Sequence, residues 1–146
     1  MTDNIDNVAV LNQLNRILEL ELAGVIRYTH YSFMVNGFGR IPIVSWLRGQ
    51  ADESMLHAHE AGELITQLDG DPSLQVGDLL TTVTHDTGKI LEESLSHEQE
   101  AIDAYQDLLK LVQGRSVLLE EYASRMVADE TRHVGDVKKM LRAPSD

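Results

Sequence analysis

Residues 123–137 read ASRMVADETRHVGDV, and the placing of the polar residues in this run decides the fold. Ala123, Val127, Val134 and Val137 recur at three- and four-residue spacing, the repeat of one face of an α-helix. Glu130 falls on that same face, and His133 follows it by one turn, about 60° from the centre of the stripe. A glutamate and a histidine at this Glu-x-x-His spacing on the inward side of a helix close on one metal ion. A carboxylate in an apolar stripe needs such a partner, because burial alone drives it to take up a proton.

Outward from this helix, the chain breaks at NGFGRIP (36–42), DGDPSLQVG (69–77) and, more weakly, QGRS (113–116), with Gly114 where a helix C-cap belongs. The prolines are Pro42, Pro72 and Pro144. Four helices are expected over about 8–36, 43–69, 78–112 and 116–141, each with its own apolar stripe. The first stripe is Leu14, Ile17, Leu18, Val25, Tyr28 and Val35; the second runs from Val44 through Ala51 and Ala58 to Leu68; the third runs from Leu91 through Ile102 to Val112. Such a chain forms an all-α four-helix bundle. The outer two breaks are short and join antiparallel neighbours. The middle one is long enough to permit a crossover between helices two and three.

Glu21 and Glu98 repeat the pattern of Glu130, each pointing into its own apolar stripe. His57 lies beside the second stripe as His133 lies beside the fourth. The two halves of the chain echo one another: Tyr28 follows Glu21 by 7 residues and Tyr105 follows Glu98 by 7, while His57 follows Glu21 by 36 and His133 follows Glu98 by 35. Two helix hairpins related by a pseudo-two-fold would bring these groups to one midplane metal site. The position in the second helix that matches Glu130 holds Ser54, so one carboxylate is missing. Glu53 is the nearest substitute, one turn before His57 but about 100° from the stripe centre. Such a site would hold two irons, one iron more weakly, or zinc. Tyr28 and Tyr105 are either core aromatics or hydrogen-bond partners of the ligand carboxylates. His30, His59, His85 and His97 read as surface residues, and Trp46 has no motif around it.

The 146 residues include 24 Asp plus Glu against 12 Lys plus Arg, a net charge of −12, and no cysteine. Thiol catalysis, Fe–S clusters and cysteine zinc sites are thereby excluded. The acidic balance disfavours nucleic acid as a partner and draws cations. No apolar run approaches the roughly 20 residues a bilayer span needs, so a cytoplasmic protein without a membrane partner is expected. One domain over 1–146 suffices for the length.

The residues LNRILELEL (14–22), MLHAHEAGELITQLDGDPSLQ (55–75) and ADETRH (128–133) resemble bacterioferritin, within the ferritin-like superfamily of di-iron carboxylate bundles. The resemblance covers nearly the whole chain and implies a ferritin-like bundle with the crossover. It implies metal binding by Glu21, His57, Glu98, Glu130 and His133, with Glu53 standing in at the flank, and ferroxidase chemistry carried by Glu21, Glu98 and Glu130. In a gapless family register His97 would take the third-helix position, but periodicity places Glu98 there. Iron ions, with dioxygen or hydrogen peroxide as oxidant, are the implied partners. A hollow homo-oligomer built from dimers is implied, without the short fifth helix and so a different or smaller cage, of twelve subunits for example. Met55 matches the haem ligand that bacterioferritins place between two subunits, although Asp52 stands one turn earlier on the same flank. Two other readings stay open: a rubrerythrin-like peroxide-reducing di-iron protein, against which the missing cysteine counts, and a structural or haem-binding subunit that has lost ferroxidase activity.

Overall fold

A computed structural model describes residues 5–80 and 83–142; Pro144, expected to mark the end of the last helix, lies outside them. The chain forms four helices, α1 (Asn7–Met34), α2 (Arg40–Gln67), α3 (Thr87–Val112) and α4 (Val117–Leu141), and no strand among the described residues.

Local chemistry explains most of the boundaries. Asp6 caps α1 by accepting from the Ala9 amide at 3.1 Å, Asp86 caps α3 through Lys89, and Ser116 caps α4 through Leu119. Gly37 (φ 106°) reverses the chain after α1, and Gly114 (φ 74°) follows the end of α3 in the left-handed conformation a glycine tolerates. Helix α2 starts at Arg40 rather than at 43, because Pro42 falls in the first turn, where its missing N–H breaks no hydrogen bond.

The larger departure from expectation is the start of α3 at Thr87 rather than at 78. Residues 69–80 and 83–86 run instead as a strap along α1. Asn15 of α1 bonds the backbone of Asp71 and Ser73; the Gly77 amide donates to the Glu19 carbonyl at 2.9 Å; Arg27 donates twice to the Asp78 carbonyl; and His85 Nδ1 lies 2.9 Å from the Met34 carbonyl. The strap thus climbs α1 from its first turns to its last residue. A crossover follows: α2 ends beside the start of α1, and α3 begins beside its end, so α3 runs parallel to α2 and antiparallel to α1.

The apolar core comes in two blocks. One gathers Leu14, Ile17, Ala58, Ile65, Tyr105, Leu108, Leu119 and Met126; the other gathers Tyr28, Tyr31, Val44, Leu47, Ala51 and Ile90. Between them, on every helix, sits a polar layer: Glu21 on α1, Ser54 and His57 on α2, His97 and Glu98 on α3, Glu130 and His133 on α4. Packing on both sides fixes that layer's height. No described helix is long and apolar enough to cross a membrane.

Candidate metal centre

Among the described residues the buried carboxylates are Glu21, Glu98 and Glu130, exposed by 4%, 4% and 5%. They meet at one place. Glu21, His57 and Glu130 present ligand atoms within 4.8 Å of one another, and so do Glu98, Glu130 and His133. Glu130 belongs to both triplets. Its Oε1 lies 3.3 Å from His57 Nδ1 and its Oε2 3.7 Å from His133 Nδ1, so the carboxylate spans the two halves of the bundle. Glu21 Oε2 stands 2.7 Å from His57 Nδ1, and Glu98 Oε2 stands 3.6 Å from His133 Nδ1. The two-fold echo in the sequence becomes a two-fold arrangement in space.

The tyrosines complete it. Tyr105 donates to Glu21 Oε2 at 2.9 Å, and Tyr28 donates to Glu98 Oε1. Burial, reinforced by these carboxylates, pushes both phenols well above their usual range, so they stay protonated and act as donors.

In the absence of a metal the charges are balanced by protons. Burial lowers the basicity of His57 and His133, but hydrogen bonds to Glu130 with Glu21 or Glu98 outweigh it and raise each imidazole to about 10. Burial pushes Glu21 and Glu98 up. On Glu130 burial is overcome by the adjoining Glu98, His133 and His57, which hold it well below the usual carboxylate range. Divalent ions would displace these protons and take over their role. Oxygen and imidazole donors suit iron or zinc, and Glu130 Oε2, an oxygen of the shared carboxylate, is buried without a hydrogen-bond partner among the described residues.

Ser54 is buried at the centre of α2 and supplies no carboxylate. Glu53 does not replace it: its carboxylate is 54% exposed and stands 3.8 Å from His57 Nε2, the nitrogen facing away from the triplets. Met55 is partly buried and outside both triplets.

Periodicity did not place two neighbours of the centre, although the gapless family register had named one of them, His97. His97, expected at the surface, is 4% exposed. Burial keeps its imidazole below the usual range. The signal was a second stripe on α3, Ser94, Ala101, Ala104 and Leu108, all buried and in phase with His97. Trp46 packs its ring 5.6 Å from that of His133 and, with Glu53, Asp129, Arg132 and Asp136, lines an open cavity on the outer side of that histidine. Nothing in the local sequence marked it.

Comparison with known proteins bears on the family and the fold. Residues 11–144 match the Ferritin family, described as a ferritin-like domain. The chain is 28% identical over 138 residues to the bacterioferritin of Mycobacterium bovis and to bacterioferritin BfrA of Mycobacterium tuberculosis, in each case covering 90% of this chain and 83% of the relative. Two solved structures share the fold. A ferritin-like, diiron-carboxylate protein from Bacillus anthracis superposes with a TM-score of 0.87 at 24% identity, over 97% of this chain and 100% of that one. The bacterioferritin-related protein of Bacteroides fragilis, a dodecameric thioferritin, gives 0.84 at 24% identity over 94% and 86%.

Proposed function

The chain belongs to the ferritin-like domain family, and from that premise we propose that it binds two Fe(II) ions in the bundle, oxidises them and passes the ferric product to storage. The observation that carries this reading is Glu130, one carboxylate shared by two histidine-carboxylate triplets. Glu21 and His57 would hold one iron, Glu98 and His133 the other, and Glu130 would bridge them. Each Fe(II) gives up one electron to dioxygen or hydrogen peroxide, and three carboxylates favour the more highly charged product. The chain's own part is to fix the ligand set, to release the protons that the empty site holds, and to keep Glu21 and Glu98 oriented through Tyr105 and Tyr28.

The dodecameric assembly of the Bacteroides fragilis relative supports a homo-oligomeric shell for this chain too, in the cytoplasm, with the net charge of −12 drawing iron to it.

Anaerobic titration of the metal-free protein with Fe(II), followed by oxygen, tests the reading on wild type and Glu130→Ala. Two irons per chain and oxidation faster than in buffer, both lost in the variant, are expected. One iron or none, with oxidation at the buffer rate, would leave a shell or structural subunit instead.

A further inference from the structure

We infer that His97 belongs to the metal centre, its Nε2 filling the coordination position that residue 54 leaves without a carboxylate. The inference rests on the iron-binding reading above and adds a sixth protein ligand to it.

Three observations converge. His97 is almost wholly buried, and its Nε2 has no hydrogen-bond partner. A histidine that only packed would leave a polar atom unsatisfied in the core, which folded proteins rarely tolerate. The ring also lies where the centre is incomplete. A Cβ on Gly24 would stand 2.9 Å from Ser54 Oγ and 3.1 Å from His97 Nε2, so both groups press on the bare backbone of α1 at this point. Gly24 is one turn from Glu21, and Ser54 is one turn from His57, so the His97 nitrogen packs at positions one helical turn from a triplet residue on each of two other helices. Finally, the sizes match. A serine in place of a glutamate frees the volume of a carboxylate arm, and an imidazole reaching across from α3 takes it up. Gly24, Ser54 and His97 thus form one adapted unit: no side chain, a short side chain and a long one.

Without metal the ring stands outside both triplets. To ligate, the ring would turn inward from its place against Gly24. The resulting set of three carboxylates and three histidines has one negative charge fewer than four carboxylates with two histidines, and so favours ferric iron less strongly.

Anaerobic Co(II) titration followed by visible absorption reads ligation without turnover. Wild type is expected to bind two Co(II) per chain. His97→Gln should weaken the second by about tenfold or more and alter the ligand-field bands. Ser54→Glu returns the carboxylate, so Ser54→Glu with His97→Gln should bind Co(II) as Ser54→Glu alone does; this pair carries the test should His97→Gln fail to fold. A His97→Gln protein that titrates as wild type would overturn the inference alone, as would an equal loss with and without Glu at 54. Wild type that binds no cobalt would overturn the iron-binding reading and this inference with it.

Discussion

Tyr105 on α3 donates its hydroxyl hydrogen to Glu21 on α1 across 2.9 Å, a bond between residues 84 apart in the chain. It ties the two hairpins together at the height of the metal centre, and Tyr28 with Glu98 repeats it from the other side. Glu21 Oε2 also faces His57 at 2.7 Å and Glu98 Oε2 faces His133 at 3.6 Å, so these two carboxylates each meet a phenol from one helix and an imidazole from another. The orientation of these carboxylates is therefore fixed by the protein's own groups.

Tyr105→Phe should keep the fold while costing about 1 kcal/mol, the net worth of one buried hydrogen bond whose acceptor retains a second partner. Urea denaturation of the metal-free protein would read this as a lower midpoint with an unchanged slope. Tyr28→Phe should behave alike. A loss beyond about 3 kcal/mol would mean that the phenol supports packing rather than ligand orientation.

Glu21→Gln and Glu53→Gln should separate the buried ligand from its exposed neighbour. The first removes a charge from a triplet and should lower Fe(II) affinity at that position by at least about tenfold. The second acts only on the outer nitrogen of His57 from an exposed position, and its effect should stay within about fivefold, the ~1 kcal/mol ceiling of an exposed ion pair. Calorimetric titration of both variants decides; equal losses would put Glu53 among the ligands.

Stability of the metal-free protein should fall as pH rises. His57 and His133 are raised to about 10 in the fold against 6.5 in the unfolded chain. Their contribution is complete below about pH 6.5 and is lost between there and about pH 10, where the unfolded chain has released protons that the fold still binds. Glu21 and Glu98, pushed up by burial, act in the same direction from a lower starting pH. Glu130, held low, contributes above its ordinary 4.5 and loses that as pH falls toward about 2. Thermal denaturation across this range should show a declining Tm for the metal-free protein. With metal in place of those protons the profile should be flat between about pH 6.5 and 10 and fall below that, where the unfolded chain takes up protons.

Gly77→Val should loosen the strap on α1. A Cβ at this position stands 3.0 Å from the Glu19 carbonyl oxygen, a backbone atom that cannot swing aside, and the Gly77 amide bonds that same oxygen. The crowding should cost about 1–3 kcal/mol. Faster hydrogen exchange confined to the amides of 71–80 would locate the damage; unchanged exchange there would mean that the strap is held elsewhere.

The sequence by itself determined what is local to a helix. Periodicity placed Glu21, Glu98 and Glu130 on inward faces, Glu-x-x-His put His133 one turn from Glu130, and the Gly and Pro clusters marked the loops, because angular position on a helix and the conformations of glycine and proline depend on near neighbours alone. Tertiary structure decided the rest. Residues 78–80 and 83–86, expected to open the third helix, belong instead to a strap, because a crossover must span the length of α1. His97 looked exposed because α3 carries two adjoining buried faces, one toward each neighbouring helix, and a single stripe shows only one of them. The opposite nitrogens of His57 face Glu130 and Glu53, and Trp46 lies against His133, through contacts between residues far apart in the chain. Spacing along a helix says which way a side chain points; what stands there to meet it is supplied by another helix, whose position only the packed bundle fixes.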